Sequence, residues 1–209
     1  MPISWLLSEP LMFVIWLLAI IVTLTIHEFS HAFSAYILGD QTAKEEGRMT
    51  LNPISHIDPL GFFMLLFVGF GWAKPVPINP YNLKSQRLGT AIVSLAGPLS
   101  NLVGVLVFGL ILKFVSPSLG PSNLLVNFLF LLALVNFSLF LFNLIPIPPL
   151  DGSKVLLSAI PDKFAEFKEK YELYGPYALL FLVIADGFLP FSIFGAMFNF
   201  MLSILSRFF

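Results

Sequence analysis

His27, Glu28 and His31 stand in the stretch TIHEFSHAF, residues 25–33, in the order His-Glu-x-x-His. On an α-helix, side chains four positions apart lie on one face a single turn apart, so both imidazoles can converge on one metal ion. Glu28 projects about 100° away from His27 and can approach the same ion without binding it. This pattern is typical of a zinc site in which two histidines bind the metal and the glutamate acts as general base.

The motif lies inside an apolar run, residues 11–38, that is long enough to span a bilayer. An ionised side chain at the centre of a membrane helix costs about 2.5–3.5 kcal/mol on insertion scales, so a chance occurrence here is disfavoured. The structural alternative is a buried polar cluster that only packs helices together. The position of the motif favours a functional metal site.

A catalytic zinc ion needs a third protein ligand and one position for water. The extended metzincin pattern is absent, because Ser34 and Ile37 occupy the positions where it requires glycine and histidine. Two candidates for the third ligand remain, His56 and Asp151. Asp151 follows NLIPIPPL, residues 143–150, whose prolines interrupt any helix and allow a side chain to turn inward.

The composition places these residues in a membrane protein. Of 209 residues, 57% are hydrophobic and 11% are charged, whereas soluble domains carry about a quarter charged residues. The net charge of −1 gives no basic surface for nucleic acid, and the absence of cysteine excludes disulfides and thiolate metal ligands. We predict an all-α integral membrane protein with about five to six transmembrane helices.

Apolar runs of about 20 residues predict the spanning helices. They occur at 11–38, 88–115 and 123–146, with shorter runs at 174–189 and 191–207 on either side of Pro190. The apolar segment 61–72 is short and is bracketed by glycine and proline, which favours a re-entrant hairpin. The alternating prolines of residues 72–83 favour a short β or extended element between the first two core helices, with a proline-stiffened loop as the alternative.

The basic residues support this topology. If 61–72 does not cross, every Lys and Arg except Lys113 falls on one side of the membrane, whereas a crossing would divide them. The positive-inside rule makes that side cytoplasmic and places the N-terminus outside. The run 123–146 then returns to the cytoplasmic side, where Asp151 can reach the depth of the two histidines. The topology therefore favours Asp151 over His56 as the third ligand.

Three motifs together resemble the site-2 protease family of intramembrane zinc metalloproteases, in its compact prokaryotic branch without a PDZ or CBS domain. The motifs are HEFSH (27–31), AGPLSN (96–101) and NLIPIPPLDG (143–152), and LNPISHIDPLG (51–61) and GWAKPVP (71–77) also resemble links in that branch. The resemblance covers the chain from about Thr25 to Lys154.

The resemblance implies one Zn²⁺ per chain, bound by His27, His31 and Asp151, with the active site toward the cytoplasmic side of a prokaryotic cell membrane. It implies that Glu28 is the catalytic acid and base. It also implies that Asn101 lies near the active site and aids substrate or oxyanion binding; an interhelical hydrogen bond is the alternative. The implied substrate is a single-pass membrane protein, cut within or near its transmembrane helix in the lipid bilayer.

Two further polar residues are possible substrate or supporting groups. Asn143 is expected to cap or bridge the helix break before Pro146, with substrate contact as the second option. His56 either orients a site group or stabilises its loop. We expect residues 1–209 to form a single transmembrane metalloprotease domain, with a core at 11–160 and a C-terminal helical hairpin at 174–207.

Another class of protein uses the same ligands. A metal-binding membrane transporter, or a non-catalytic membrane protein, could hold an ion with two histidines and an aspartate. Transporters usually show internal repeats with binding residues in both halves, whereas this motif occurs once and includes a glutamate that a transport site does not need. A soluble-type metalloprotease with membrane anchors is disfavoured because no extramembrane segment is long enough for its domain.

Overall fold

The computed structural model describes residues 2–188 and 192–208, and within these ranges the chain is predominantly helical. The helices are α1 Trp5–Ser8, α2 Pro10–Ile37, α3 Thr42–Glu45, α4 Pro59–Val68, α5 Gln86–Leu119, α6 Leu124–Asn143, α7 Asp151–Ala159, α8 Ala165–Asp186 and α9 Ile193–Phe208. Short 3-10 turns lie at Pro2–Ser4, Pro53–His56, Pro80–Asn82 and Asp162–Phe164.

Helices α2, α5 and α6 are each long and apolar enough to cross a membrane. They correspond to the predicted runs 11–38, 88–115 and 123–146, which confirms a predominantly helical integral membrane protein. Among the described residues, the apolar helices α4 and α9 are shorter, with 10 and 16 residues. Helix α8 has 22 residues and carries charged side chains in its first two turns.

Helix α5 lies at the centre of the bundle and packs against α2, α6 and α7. Its approach to α2 is close because small side chains meet there. Ala35 of α2 is fully buried in a cluster with Val93 of α5, and a Cβ added at Gly97 of α5 would overlap ring nitrogens of the two α2 histidines. Small residues of this kind allow membrane helices to pack tightly.

The link from α2 to α5 contains α4. Asp58 caps the start of α4 by accepting a hydrogen bond from the Gly61 amide at 2.8 Å. Gly69 ends the helix with a φ of 86°, a left-handed conformation that glycine adopts without steric cost. The chain then returns without helical structure, and an antiparallel bridge joins Ile57 to Ala73 at the base of this excursion.

The predicted short β element is therefore only this one bridge within the described residues. Just beyond it, the Lys74 amide donates to the His56 carbonyl at 2.9 Å. Pro75 and Pro77 lack the N–H groups that a longer ladder requires. The alternative of a proline-stiffened segment describes residues 74–79 better than a strand does.

Helix α9 covers another side of α6. Its residues Met201 and Leu205 are almost fully buried in a cluster with Val105, Ala133 and Phe137. Helix α8 begins well before the predicted run at 174–189, because the charged residues ahead of that run continue the same helix. Pro190, which was expected to separate the last two runs, lies outside the described residues.

Candidate metal centre

Three donor atoms meet between α2 and the start of α7. Nε2 of His27 and Nε2 of His31 lie 3.1 Å apart, and Oδ2 of Asp151 lies 3.2 Å from the first and 3.1 Å from the second. All three side chains are buried. The structure thus brings together the three residues that the sequence predicts as metal ligands.

Different local structures position the ligands. The two histidines are four residues apart on α2, so a regular helix places them on one face. Asp151 is the first residue of α7 and follows the proline-rich turn at 144–150. Helix α8 supports this turn closely, because a Cβ at Gly175 would overlap the ring of Pro148.

Each imidazole is fixed through its other nitrogen. Nδ1 of His27 lies 2.6 Å from Oδ1 of Asn101, and Nδ1 of His31 lies 2.7 Å from the carbonyl oxygen of Val93. Both partners are oxygen acceptors, so each ring donates from Nδ1, and in a ring that binds metal the lone pair is then on Nε2. Such contacts fix the tautomer and the ring orientation of a metal-binding histidine.

The donor set fits a zinc ion. Zinc binds imidazole nitrogen and carboxylate oxygen at about 2.0–2.2 Å, and tetrahedral ligands at these lengths are about 3.3–3.6 Å apart. The observed separations of 3.1 and 3.2 Å lie just below this range. Three protein donors also leave a fourth position for water or substrate, as catalytic zinc sites require. The cluster can therefore hold one zinc ion per chain.

Glu28 is buried beside the cluster. It follows His27 directly on α2, and its Oε2 accepts a hydrogen bond from the Val76 main-chain amide at 3.1 Å. The group of converging donor atoms contains the two histidines and Asp151 but not this carboxylate. A position beside the donor atoms rather than among them suits a general base.

A chain of buried polar side chains extends from the cluster across three helices. Asn101 of α5 donates from Nδ2 to Oδ1 of Asn136 on α6 at 3.1 Å. Asn136 in turn donates to the hydroxyl of Thr23 on α2 at 3.0 Å and to the Leu132 carbonyl at 2.8 Å. Both ends of the Asn101 side chain are thus engaged inside the protein.

Sequence reasoning did not identify Asn136 or Thr23. The available signal was Asn136 itself, because an asparagine inside a long apolar run is expensive unless it is hydrogen-bonded. The hydrogen-bond partners of Asn136 could not be predicted from the sequence, because they depend on how α2, α5 and α6 are rotated against one another.

The two weaker sequence candidates lie outside the ligand cluster. The Nε2 atom of His56 is 2.8 Å from the Thr50 carbonyl, a contact within its own loop. Asn143 is the last residue of α6 and donates to the Leu139 carbonyl at 3.1 Å. These contacts are those of residues that stabilise a loop and a helix end.

Lys154 is a neighbour of the cluster that sequence reasoning did not select. Its Nζ lies 3.7 Å from Oδ1 of Asp151, on the carboxylate oxygen that faces away from the histidine contacts. The spacing of three residues on α7 brings the two side chains together. The ammonium group of Lys154 is partly exposed, so this ion pair lies at the edge of the cluster.

An apolar cavity of about 460 Å³ borders α2, α4, α6 and α9. On α2 it is lined by Leu17, Ile21 and Leu24, among others. At helical spacing these three form one stripe, and the next residue on that stripe is Glu28. The metal ligands do not line this cavity, which instead runs along the face of α2 that leads to the glutamate.

Comparison with known proteins gives one family. The sequence profile of peptidase family M50 matches residues 118–184, which include Asp151. YwhC of Bacillus subtilis (strain 168), provisionally named a zinc metalloprotease, is 41% identical over 173 residues, covering 80% of this chain and 78% of YwhC. No solved structure gives a significant match.

Two mycobacterial proteins, both named Rip2 and also provisionally termed zinc metalloproteases, are similar over shorter shares of their length. The Mycolicibacterium smegmatis protein is 36% identical over 142 residues, covering 63% of this chain and 52% of Rip2. The Mycobacterium tuberculosis protein (strain H37Rv) is 33% identical over 171 residues, covering 74% of this chain and 63% of Rip2. The chain therefore spans about half to two thirds of these two relatives.

Proposed function

Because the chain belongs to peptidase family M50, the site-2 protease family of intramembrane zinc metalloproteases, we propose that it is an endopeptidase that cuts peptide bonds within or near the transmembrane helices of other proteins. The observation that carries this proposal is the meeting of a buried zinc-type donor set with a buried glutamate on an apolar helix. A substrate that lies in the membrane is what such a location requires.

We assign the metal to His27, His31 and Asp151. When bound there, zinc supplies a Lewis acid that lowers the pKa of water and polarises a peptide carbonyl. Glu28 takes the proton from the attacking water and later delivers it to the departing amine, acting first as general base and then as general acid. Lys154 steadies the charge of Asp151 from its other oxygen.

Asn101 is assigned a role that acts through His27. The Oδ1 atom of Asn101 holds the imidazole, while its amide nitrogen, the group that an oxyanion would need, donates to Asn136. The predicted oxyanion role would require this internal hydrogen bond to break. Orientation of a ligand is the role that these contacts support.

We further propose a topology of five to six spans, in which segment 61–72 enters and leaves the membrane on the same side. Three long apolar helices, a short apolar α4 and an apolar α9 are consistent with this proposal. The basic residues then place the N-terminus outside and the active site toward the cytoplasm. Residues 1–209 would form one protease domain, with the core at 11–160 and a C-terminal hairpin at 174–207.

Replacement of Glu28 by Gln tests the catalytic assignment. Gln keeps the size of the side chain but cannot accept a proton, so cleavage of a reporter membrane helix should fall by about 10²–10⁴-fold. Zinc content should stay near one ion per chain, because Glu28 is not a ligand. Glu45→Gln, at an exposed position of α3, is the matched control.

The outcome separates the protease from the transporter. Retained zinc with lost cleavage in Glu28→Gln supports the protease. A wild-type chain that binds zinc in a lipid bilayer but leaves every reporter helix intact would favour the transporter. Unchanged cleavage in Glu28→Gln would remove the general-base role.

A further inference from the structure

The segment KPVPIN, residues 74–79, lies beside Glu28 and is tied down at both ends. At its start, Nη2 of Arg48 donates to the Lys74 carbonyl at 2.8 Å. At its end, the Asn79 amide donates to Oδ2 of Asp40 at 2.7 Å. The segment therefore passes the C-terminal part of α2 along a path that is fixed on both sides of its midpoint.

Val76 is the midpoint and is held by its side chain as well. It is buried in a cluster with Ala32 of α2 and Ala43 of α3. Its main-chain N–H points to Oε2 of Glu28 at 3.1 Å, and both groups are buried. The position of this donor is thus set by packing and by the two flanking anchors rather than by the carboxylate itself.

The sequence leaves no competing main-chain donor at this point. Pro75 and Pro77 have no N–H, so Val76 supplies the one amide proton between Lys74 and Ile78. A carboxylate that receives a single directed hydrogen bond is held in one orientation while its second oxygen stays free to accept a proton.

We propose that the main-chain amide of Val76 is a positioning group for Glu28. By holding Oε2, it turns Oε1 toward the position where water loses its proton to the carboxylate. This role rests on the proposed protease function, in which Glu28 is the general base. The geometry itself, a buried amide donating to a buried carboxylate, can be tested without any catalysis.

Hydrogen exchange at Val76 tests the contact directly. The chain is exchanged in lipid nanodiscs and then digested. The difference in deuterium content between a peptide that ends at Pro77 and one that ends at Lys74 reports the Val76 amide alone, because both neighbouring prolines lack an amide proton. Glu28→Ala removes the acceptor, so exchange at Val76 should become roughly 10- to 100-fold faster, which corresponds to the loss of a charge-assisted hydrogen bond. Glu28→Gln keeps a carbonyl oxygen and should retain most of the protection.

Asp58→Ala is the control at another main-chain amide. It removes the acceptor of the Gly61 amide and should accelerate exchange there while Val76 stays protected. Equal exchange at Val76 in wild type and Glu28→Ala would overturn the proposal, because the amide would then be protected by something other than the carboxylate.

Kinetics test the consequence for catalysis. Val76→Pro removes the amide proton, whereas Val76→Ala removes most of the side chain and keeps the proton. We expect kcat of Val76→Pro to fall about tenfold or more below that of Val76→Ala, with KM changed by about twofold or less, since the amide acts on Glu28 rather than on substrate. Equal kcat values in the two variants would contradict the proposal.

Protection of the Asn79 amide in Val76→Pro serves as the check on folding. If that protection is lost, the comparison of Val76 exchange between wild type and the Glu28 variants decides the proposal alone. A wild-type chain with no cleavage would refute the protease function but would leave the exchange result standing, so the two failures are distinguishable.

Discussion

Asn136 is linked to His27 through the side chain of Asn101. It accepts the amide of Asn101, whose oxygen holds Nδ1 of His27, and it is itself fixed by donating to Thr23 and Leu132. A change at Asn136 frees the Asn101 side chain to rotate. The fixed Nδ1 contact of the histidine would be lost without any change to a ligand.

Asn136→Ala should therefore weaken zinc binding. Loss of a residue that directly supports a metal ligand typically lowers metal affinity 10–100-fold. Asn136 supports His27 only through Asn101, so we expect zinc affinity to fall by about tenfold. Competition with a chelator measures the affinity. Asn199→Ala makes the same substitution at an exposed position of α9 and serves as the control, with zinc affinity expected to stay at the wild-type value. Identical zinc affinity in wild type and Asn136→Ala would show that the chain of asparagines only packs helices.

The sequence alone was sufficient to predict the site residues that can be recognised by side-chain type and helical spacing. His27 and His31 follow from their four-residue separation, and Asp151 follows from the interrupted helix and the membrane topology. The amide of Val76 could not be found in this way, because every residue but proline has one. Only the folded path of the chain shows which amide faces a carboxylate.

Among the elements, the connection between α2 and α5 depends on one buried carboxylate. Asp40 follows the end of α2 and receives hydrogen bonds from the Thr42 amide and hydroxyl, the Asn79 amide and the Asn82 side chain. Burial by itself would raise the pKa of Asp40, but these donors outweigh it and hold the pKa below the usual value. The ionised form therefore stabilises the fold.

This stabilisation should depend on pH in a defined direction. Because the folded-state pKa is lower than the unfolded one, the contribution of Asp40 is complete above the ordinary carboxyl pKa of 3.8 and is lost as the pH falls through the folded value. Asp40→Asn should lower the unfolding temperature at pH 7. The difference from wild type should narrow as the pH falls below this ordinary carboxyl value, as thermal unfolding in detergent can measure. A constant difference would contradict this role.

The helices were easier to predict than the links between them. Long apolar runs indicated α2, α5 and α6 because a bilayer demands about 20 apolar residues. The charged residues 162–172 are expected to form a solvated helical surface, but their continuity with the run 174–189 in one helix was not predicted, because charged turns do not resemble a span. The expected β element failed because the same prolines that suggested an extended chain also removed the N–H groups that a strand needs.

At the scale of the whole molecule, the chain offers a direct test of its topology because it contains no cysteine. Lys44, Lys84 and Ser122 are exposed, and the first two lie on either side of α4 in the sequence. If segment 61–72 is re-entrant, Lys44→Cys and Lys84→Cys should react with an impermeant maleimide only after the cells are permeabilised. Ser122→Cys should react in intact cells.

A chain in which α4 crosses the membrane would give a different result. Lys44→Cys and Lys84→Cys would then lie on opposite sides, and only one of them would be labelled from outside. Labelling of both in intact cells, with Ser122→Cys protected, would reverse the proposed orientation.

The absence of a side chain at Gly97 gives the two flanks of α2 unequal freedom. On one flank, the α5 backbone touches both imidazole rings, so any sliding or rolling of these helices would dismantle the ligand triangle. The stripe of α2 that leads to Glu28 borders an apolar cavity instead. Movement of α4 or α9 beside this cavity would leave the close approach of α5 to both imidazole rings intact.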